Sequence, residues 1–193
     1  MKKKFLFLIS ILFFFVNLQS ISSSYSTDPK EFIAEIIEEA KTILNTNISK
    51  EEKANKLSQI ALETVDIKGI GYYTLGSKRK ELTSDELKKY EELFQKYFLK
   101  TFTSRLTDYS DPKIAVVSAE KTSEKYTIVK TMLLKTDKKP EVKIDWRIYT
   151  KDPNKPLIRD LIIEGLSLAR TQKEEFASIL STNNNDINAL FSK

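Results

Sequence analysis

Four acidic residues that occur in otherwise apolar stretches are the candidates for proton transfer: Asp66, Asp145, Asp160 and Glu164. Burial raises the pKa of a carboxyl group, and a carboxylate tuned in this way can act as a general base. Their neighbours favour a different role, since Asp160 follows Arg159 and Asp145 shares a predicted strand face with Arg147. Ion pairs and turn acceptors also perturb carboxylates without any catalysis. A carboxylate-based isomerase or hydrolase therefore stays open, and structural roles are favoured.

Other catalytic chemistries are excluded by composition, because the 193 residues include no histidine and no cysteine. Thiol and imidazole nucleophiles, Ser-His triads and the common zinc ligand sets are all absent from the sequence. An enzyme of this sequence would have to use carboxylates, Lys or Tyr. Disulfides are excluded too, so the hydrophobic core alone must hold the fold.

The N-terminus has the pattern of a secretory signal peptide. Three lysines precede an apolar run from Phe5 to Val16, and small polar residues follow. We assign residues 1–24 to the signal, with cleavage between Ser22 and Ser26; an uncleaved anchor is the alternative, and the missing cysteine excludes a lipoprotein. Without this segment 29 of the 32 basic residues remain against 27 acidic ones, so the charge does not indicate nucleic-acid binding.

A glycine-containing stretch, GYYTLGSK at 71–78, resembles a phosphate-binding loop. Ser77 and Lys78 stand in the wrong order for that loop, and no predicted strand precedes them. A short helix that ends at Gly76 is the better interpretation. The basic run that follows could contact anionic headgroups or a partner, although a solvated charged loop is the favoured interpretation: Lys78, Arg79 and Lys80.

The first half of the chain has helical periodicity. Asp28 and Pro29 begin a predicted helix that ends near Asn45, and Ser49 begins a second one. The longest predicted helix begins at Thr83 or Ser84 and ends near Leu106. Aromatic residues on one of its faces predict either plain core packing or the wall of a ligand site: Tyr90, Phe94, Tyr97, Phe98 and Phe102.

From Lys113 onward the period changes to two, which predicts four strands at 114–119, 125–135, 141–151 and 157–163. Connections this short permit only antiparallel pairing. A closing helix is predicted from Ser167 to Leu180, directly after a turn at Gly165. The sequence thus predicts an α+β fold in which helices pack on a curved four-stranded antiparallel sheet.

A curved sheet around a long helix can leave an apolar pocket at its concave face. In the third strand Val142, Ile144, Trp146 and Ile148 alternate with polar residues and define one apolar face. Seven apolar residues of the long helix and the strands are the candidates for lining this pocket: Phe94, Phe98, Phe102, Met132, Ile144, Trp146 and Ile148.

Three features of the chain resemble the MlaC family of periplasmic phospholipid carriers. They are Val65-Asp66 ahead of Leu75-Gly76, the aromatic segment FQKYFLKTFTSRLTDYS, and the run from Asp160 to Leu168 followed by Phe176. The resemblance covers residues 25–193 and implies one lipid-carrier domain with an NTF2-like arrangement around a deep apolar pocket.

The resemblance also implies a function without covalent chemistry. Such a carrier works in the periplasm, needs no cofactor, and takes a phospholipid as cargo. The implied partners are an outer-membrane lipoprotein–porin complex and the MCE-type ring of an inner-membrane ABC transporter, and the implied outcome is outer-membrane lipid asymmetry. An exported interaction module with a solid core is a further alternative.

Overall fold

The computed structural model describes residues 25–108, 112–136 and 140–192. The predicted signal peptide lies outside the described residues. Across the three described ranges, every helix is too short or too polar to cross a membrane. The elements, in chain order, are α1 (Pro29–Asn45), α2 (Lys50–Thr64), α3 (Ile67–Leu75), a 3-10 helix (Gly76–Lys80), α4 (Ser84–Leu106), β1 (Ile114–Ser123), β2 (Tyr126–Leu133), β3 (Val142–Tyr149), β4 (Leu157–Ile163), β5 (Leu166–Ser167), α5 (Leu168–Thr182) and α6 (Asn188–Phe191).

Side-chain caps explain where the helices begin. The carboxylate of Asp28 accepts hydrogen bonds from the first turn of α1. Ser49 with Glu52 begins α2, and Thr83 with Glu86 begins α4; in both pairs each side chain accepts the other residue's backbone N–H. Such reciprocal pairs satisfy N–H groups that a helix leaves without partners. The predicted helix starts are therefore confirmed.

The five strands form one open antiparallel sheet in chain order, so the expected fold class is confirmed with one strand more than predicted. The extra strand is β5, which pairs with the end of β4 through Ile162–Ser167 and Ile163–Leu166. Glu164 and Gly165 form the turn between them, with φ angles of 49° and 82°. The chain therefore does not pass directly from β4 into a helix at Gly165. Two residues are too few to show an alternating pattern, which is why the sequence did not predict β5.

The core lies between the helices and one face of the sheet. Helix α1 packs on β1 and β2. Its residues Phe32 and Ile33 are 2% and 0% exposed, and Val129 of β2 and Ile148 of β3 are both 0% exposed. Each such side chain removed from water contributes roughly 1.5–3 kcal/mol. This packing holds one part of the sheet rigidly against the helices.

The helical layer is joined to the sheet next to β4. Val65 forms a parallel bridge with Ile158, and the N–H of Asp66 donates to the carbonyl oxygen of Ile158 at 3.0 Å. The Asp66 carboxylate also caps α3 through Gly69 and accepts from Nε of Arg159 at 2.6 Å. Asp66 therefore connects α3 to the sheet.

The predicted ion pairs between sequence neighbours are wrong. Arg159 pairs with Asp66, and Arg147 lies 3.5 Å from Asp160 across the β3–β4 ladder. Consecutive strand residues such as Arg159 and Asp160 normally point to opposite faces, and Arg147 pairs across the ladder with Asp160 instead of along its own strand with Asp145. The predicted role of Asp160 as a turn acceptor is confirmed, because it accepts from the hydroxyl of Ser167 and the N–H of Ala169.

Candidate functional site

The inner face of the sheet is the face that carries Trp146 and Ile148. Residues that pair directly across an antiparallel ladder have their side chains on the same face, so the register defines this face strand by strand. One row across all five strands consists of Val116, Thr131, Ile144, Ile163 and Leu166. Apart from the hydroxyl of Thr131, the side chains of this row are apolar.

Burial divides the inner face into two ends. At one end Val129 and Ile148 are completely buried and Ile158 is 5% exposed. At the opposite end Ile144 and Ile163 are only half-buried and Leu166 is 59% exposed, although Thr131 of the same row is buried. The half-buried set at this open end also includes Ile114, Val116, Leu133 and Val142. The open end is therefore an apolar surface without full cover.

Helix α4 shows the same division along its length. Tyr90 and Phe94 in its first half are 3% and 4% exposed. In its second half the apolar side chains are half-buried: Tyr97, Phe98, Leu99, Phe102 and Leu106. Among the described elements α4 packs closely on α2 and α3 rather than on a strand. Its second half thus presents apolar side chains that the remaining helices only partly cover.

We call the apolar surface formed by these two parts, residues 97–106 of α4 and the open end of the inner face, the open cleft. Phe98, Phe102, Ile114 and Trp146 are all partly buried and pack against the same hydrophobic core. Phe98 and Phe102 are stacked, with ring centroids 5.8 Å apart. The cleft therefore has an aromatic wall on the helix and an aliphatic wall on the sheet.

The polar groups of the cleft are paired with each other. Trp146 donates from Nε1 to the hydroxyl of Thr131 at 2.9 Å, and Thr131 donates to the carbonyl oxygen of Ile144 at 2.9 Å. The residues of the inner row carry no titratable side chain. This row can hold an apolar ligand by burial of its area, and it offers no acid or base of its own.

Four of the seven predicted pocket residues border the open cleft: Phe98, Phe102, Ile144 and Trp146. Phe94 and Ile148 lie deeper, in the buried core. Met132 lies on the other face of the sheet, because it pairs with Ala115 and Lys143, while its neighbours Thr131 and Leu133 are on the inner face. The alternation within β2 already indicated the inner positions Val129, Thr131 and Leu133. Which residues of β1 and β5 lie on the inner face can be assigned only from the strand register.

The basic run at 78–80 lies away from the open cleft. It is the 3-10 helix that precedes α4, whereas Phe98 is 14 residues into α4, about 21 Å along its axis. Lys78 pairs with Glu81 at 3.0 Å, and the guanidinium of Arg79 lies 5.3 Å from the centroid of the Tyr72 ring. Lys80 is exposed. The structure does not bring Lys78, Arg79 and Lys80 together with the aromatic wall.

The four candidate acids are engaged elsewhere. Asp66 pairs with Arg159, Asp160 holds the turn into α5, and Glu164 accepts from the N–H of Lys143 at 2.5 Å. Asp145 pairs in register with Lys130 and Ile162, on the face opposite the cleft. In the ranges that the structure describes, no group of three or more acidic residues is placed to hold a metal ion.

A separate cavity of about 370 Å³ lies between α3 and α4. Ile67, Gly71, Tyr90 and Phe94 contribute its apolar side. Glu91 is on its polar rim, where it accepts from the hydroxyl of Tyr72 and lies 3.0 Å from Nζ of Lys68. The hydrogen bond from Tyr72 and the charge of Lys68 hold the pKa of Glu91 below its usual value. The positive charge of Lys68 thus offsets the negative charge of Glu91 at the rim.

Comparison with known proteins agrees with this architecture. A family model described as MlaC protein matches residues 32–193. The chain belongs to the MlaC family. A solved structure similar to this MlaC protein is the phospholipid-binding protein from Ralstonia solanacearum, in complex with a phospholipid, with a TM-score of 0.70 and 16% sequence identity. The match covers 86% of this chain and 92% of that one. No curated protein sequence matches the chain.

Proposed function

We propose that this MlaC protein is a phospholipid carrier that holds acyl chains in the open cleft and leaves the headgroup near solvent. The observation that carries the proposal is the burial pattern: the open end of the inner face and the second half of α4 are apolar, only half-covered, and packed against the same hydrophobic core. Membership of the MlaC family and a similar fold that binds a phospholipid support it. Binding and transport, rather than catalysis, fit a sheet wall whose inner row carries no titratable side chain.

The size of the helical wall fits one acyl chain. Residues 97–106 of α4 extend over about 15 Å at a rise of 1.5 Å per residue. A lipid chain in a bilayer spans half of the hydrocarbon core, which is also about 15 Å. A chain that lies along α4 would therefore contact the wall over its whole length.

The energetic requirement explains why both walls are needed. Exposure of a diacyl lipid to water uncovers on the order of 30 methylenes at ~0.8 kcal/mol each, a cost above ~20 kcal/mol. A carrier must therefore cover nearly all of both chains. Aromatic and aliphatic walls that face a common space meet this requirement better than one exposed surface.

The cellular role that we propose is transport between two membranes. A signal peptide at residues 1–24 would export the chain to the periplasm, where residues 25–193 would act as the carrier domain. We propose an outer-membrane lipoprotein–porin complex and the MCE-type ring of an inner-membrane ABC transporter as its partners. Transfer between them would maintain outer-membrane lipid asymmetry, with phospholipid as cargo and no cofactor.

Extraction of the purified protein with organic solvent, followed by mass spectrometry, tests the lipid cargo. We expect phospholipid with the wild type. Ile144→Asp and Phe98→Asp should lose it, because each places a charge in the cleft. Met132→Asp is the matched control, since it places the same charge on the other face and should retain lipid. A folded wild type that carries no lipid, even after incubation with vesicles, would contradict the proposal.

A further inference from the structure

Phe94 lies between the open cleft and the α3–α4 cavity. On one side its ring centroid is 6.3 Å from that of Phe98, the innermost phenylalanine of the cleft wall. On the other side Phe94 lines the α3–α4 cavity together with Gly71 and Tyr90. The ring of Phe94 therefore lies between the side chain of Phe98 and the α3–α4 cavity.

The ring is held firmly in this position. Tyr90 stacks on it at 5.6 Å, and Phe176 of α5 meets it edge-on at 6.3 Å. Gly71 packs so closely that a Cβ atom at this position would lie 2.8 Å from Cδ1 of Phe94. The side chain is 4% exposed, so contacts on several sides oppose its displacement.

We propose that Phe94 determines the longest acyl chain that the open cleft accepts. The inference rests on the proposed lipid-carrier function and deepens it. A chain that enters along Phe102 and Phe98 meets the Phe94 ring at its terminal methyl group. Methylenes beyond that length stay in water, so they add nothing to binding. The α3–α4 cavity behind the ring becomes accessible to the chain only when the ring is made smaller.

Lipids that differ only in the length of the acyl chain can test this proposal. Each additional methylene buried in the cleft should tighten binding about fourfold, and each methylene beyond Phe94 should have no effect. A plot of log affinity against chain length should therefore rise and then become flat at a break point. Trp146, the single tryptophan of the chain, lies at the cleft and reports binding by its fluorescence.

The experiment titrates the protein, freed of lipid, with single-chain phosphocholine lipids of increasing saturated chain length. Phe94→Leu should move the break point to longer chains, and Phe94→Ala should move it further. Gly71→Ala keeps the ring but pushes it away from α3, so it should move the break point to shorter chains. Phe32→Leu replaces a buried phenylalanine of α1 in the same way. It is the matched control and should leave the break point unchanged.

The experiment distinguishes a failure of the proposed role of Phe94 from a failure of the proposed lipid-carrier function. If Phe94→Leu and Gly71→Ala bind the series with the wild-type break point, the role of Phe94 is overturned and the carrier function stands. If the folded wild type binds no lipid of the series, the proposed function itself is overturned. Should Phe94→Leu fail to fold, the opposite shift expected for Gly71→Ala still decides the question.

Discussion

At Gly71 a single added carbon atom would collide with the ring of Phe94. The α-carbon of Gly71 lies where α3 crosses α4, and an added Cβ would come within 2.8 Å of Cδ1 and 3.2 Å of Cγ of Phe94. Real Cβ atoms do not approach a ring so closely, so the ring or the helix must move. Overpacking of a buried site usually costs about 1–3 kcal/mol.

We therefore expect Gly71→Ala to lower the free energy of unfolding by about 1–2 kcal/mol, because the gain in helix propensity, up to ~1 kcal/mol, offsets part of the clash. Urea denaturation measures the change. In a Phe94→Leu background the same substitution should cost much less, since the smaller side chain removes the clash. Equal costs in both backgrounds would show that the ring is not the obstacle.

At the level of the elements, the start of α4 depends on a charged group whose ionisation is coupled to folding. Hydrogen bonds from the N–H and the hydroxyl of Thr83 lower the pKa of Glu86 below its ordinary value of 4.5. A carboxylate with a lowered folded pKa stabilises the fold above its unfolded pKa. That contribution is lost as the pH falls through the lowered value.

Glu86→Ala should consequently lower the melting temperature at neutral pH, and the difference from wild type should shrink as the pH falls below about 4.5. Thermal unfolding followed by circular dichroism over a range of pH measures this. Lys88→Ala, an exposed position of the same helix, is the control whose effect should not follow the same pH curve. A difference that stays constant down to about pH 3 would contradict the capping role of the carboxylate.

The strands show which features of an element can be predicted from sequence. Residues 157–163 were predicted as a strand with the observed bounds, because an apolar run ends at a turn-forming Gly165. Met132 was assigned to the wrong side of the sheet relative to Trp146, since apolar character was considered without the alternation of β2. The ion pairs of Arg147 and Arg159 depend on strand register and on the position of α3, and neither can be predicted from local sequence.

At the scale of the whole molecule, the candidate site exists because the helices cover only part of the sheet. Periodicity predicted an apolar inner face through Ile144, Trp146 and Ile148, but all three positions have the same pattern in sequence. Ile148 is buried whereas Ile144 is only half-buried, so the helices cover one part of this face and not the other. Which part is covered depends on tertiary packing, so the sequence predicts the residues of the wall but not which of them are buried.

Amide hydrogen exchange should reveal this division when cargo binds. With phosphatidylglycerol or phosphatidylethanolamine loaded from vesicles, we expect roughly tenfold slower exchange, or more, at 97–106 of α4 and at the open end of β3. The first half of α4 and the segment around Val129 should change little, since they are already buried. Mass spectrometry of peptic fragments gives this comparison, with the lipid-free protein as reference. Protection spread evenly over the chain would contradict a local cleft.

The β4 edge of the sheet has a consequence for the protein when no ligand is bound. An uncovered strand edge is a template on which another chain can add a strand, and a protein with apolar side chains near solvent would be at risk of such aggregation. Here Val65 pairs with β4 at Ile158, and β5 pairs with it at Ile162 and Ile163. The two short pairings occupy both ends of that edge with the chain's own backbone. They leave little room for intermolecular strand addition along β4, which lowers the risk of aggregation through this edge.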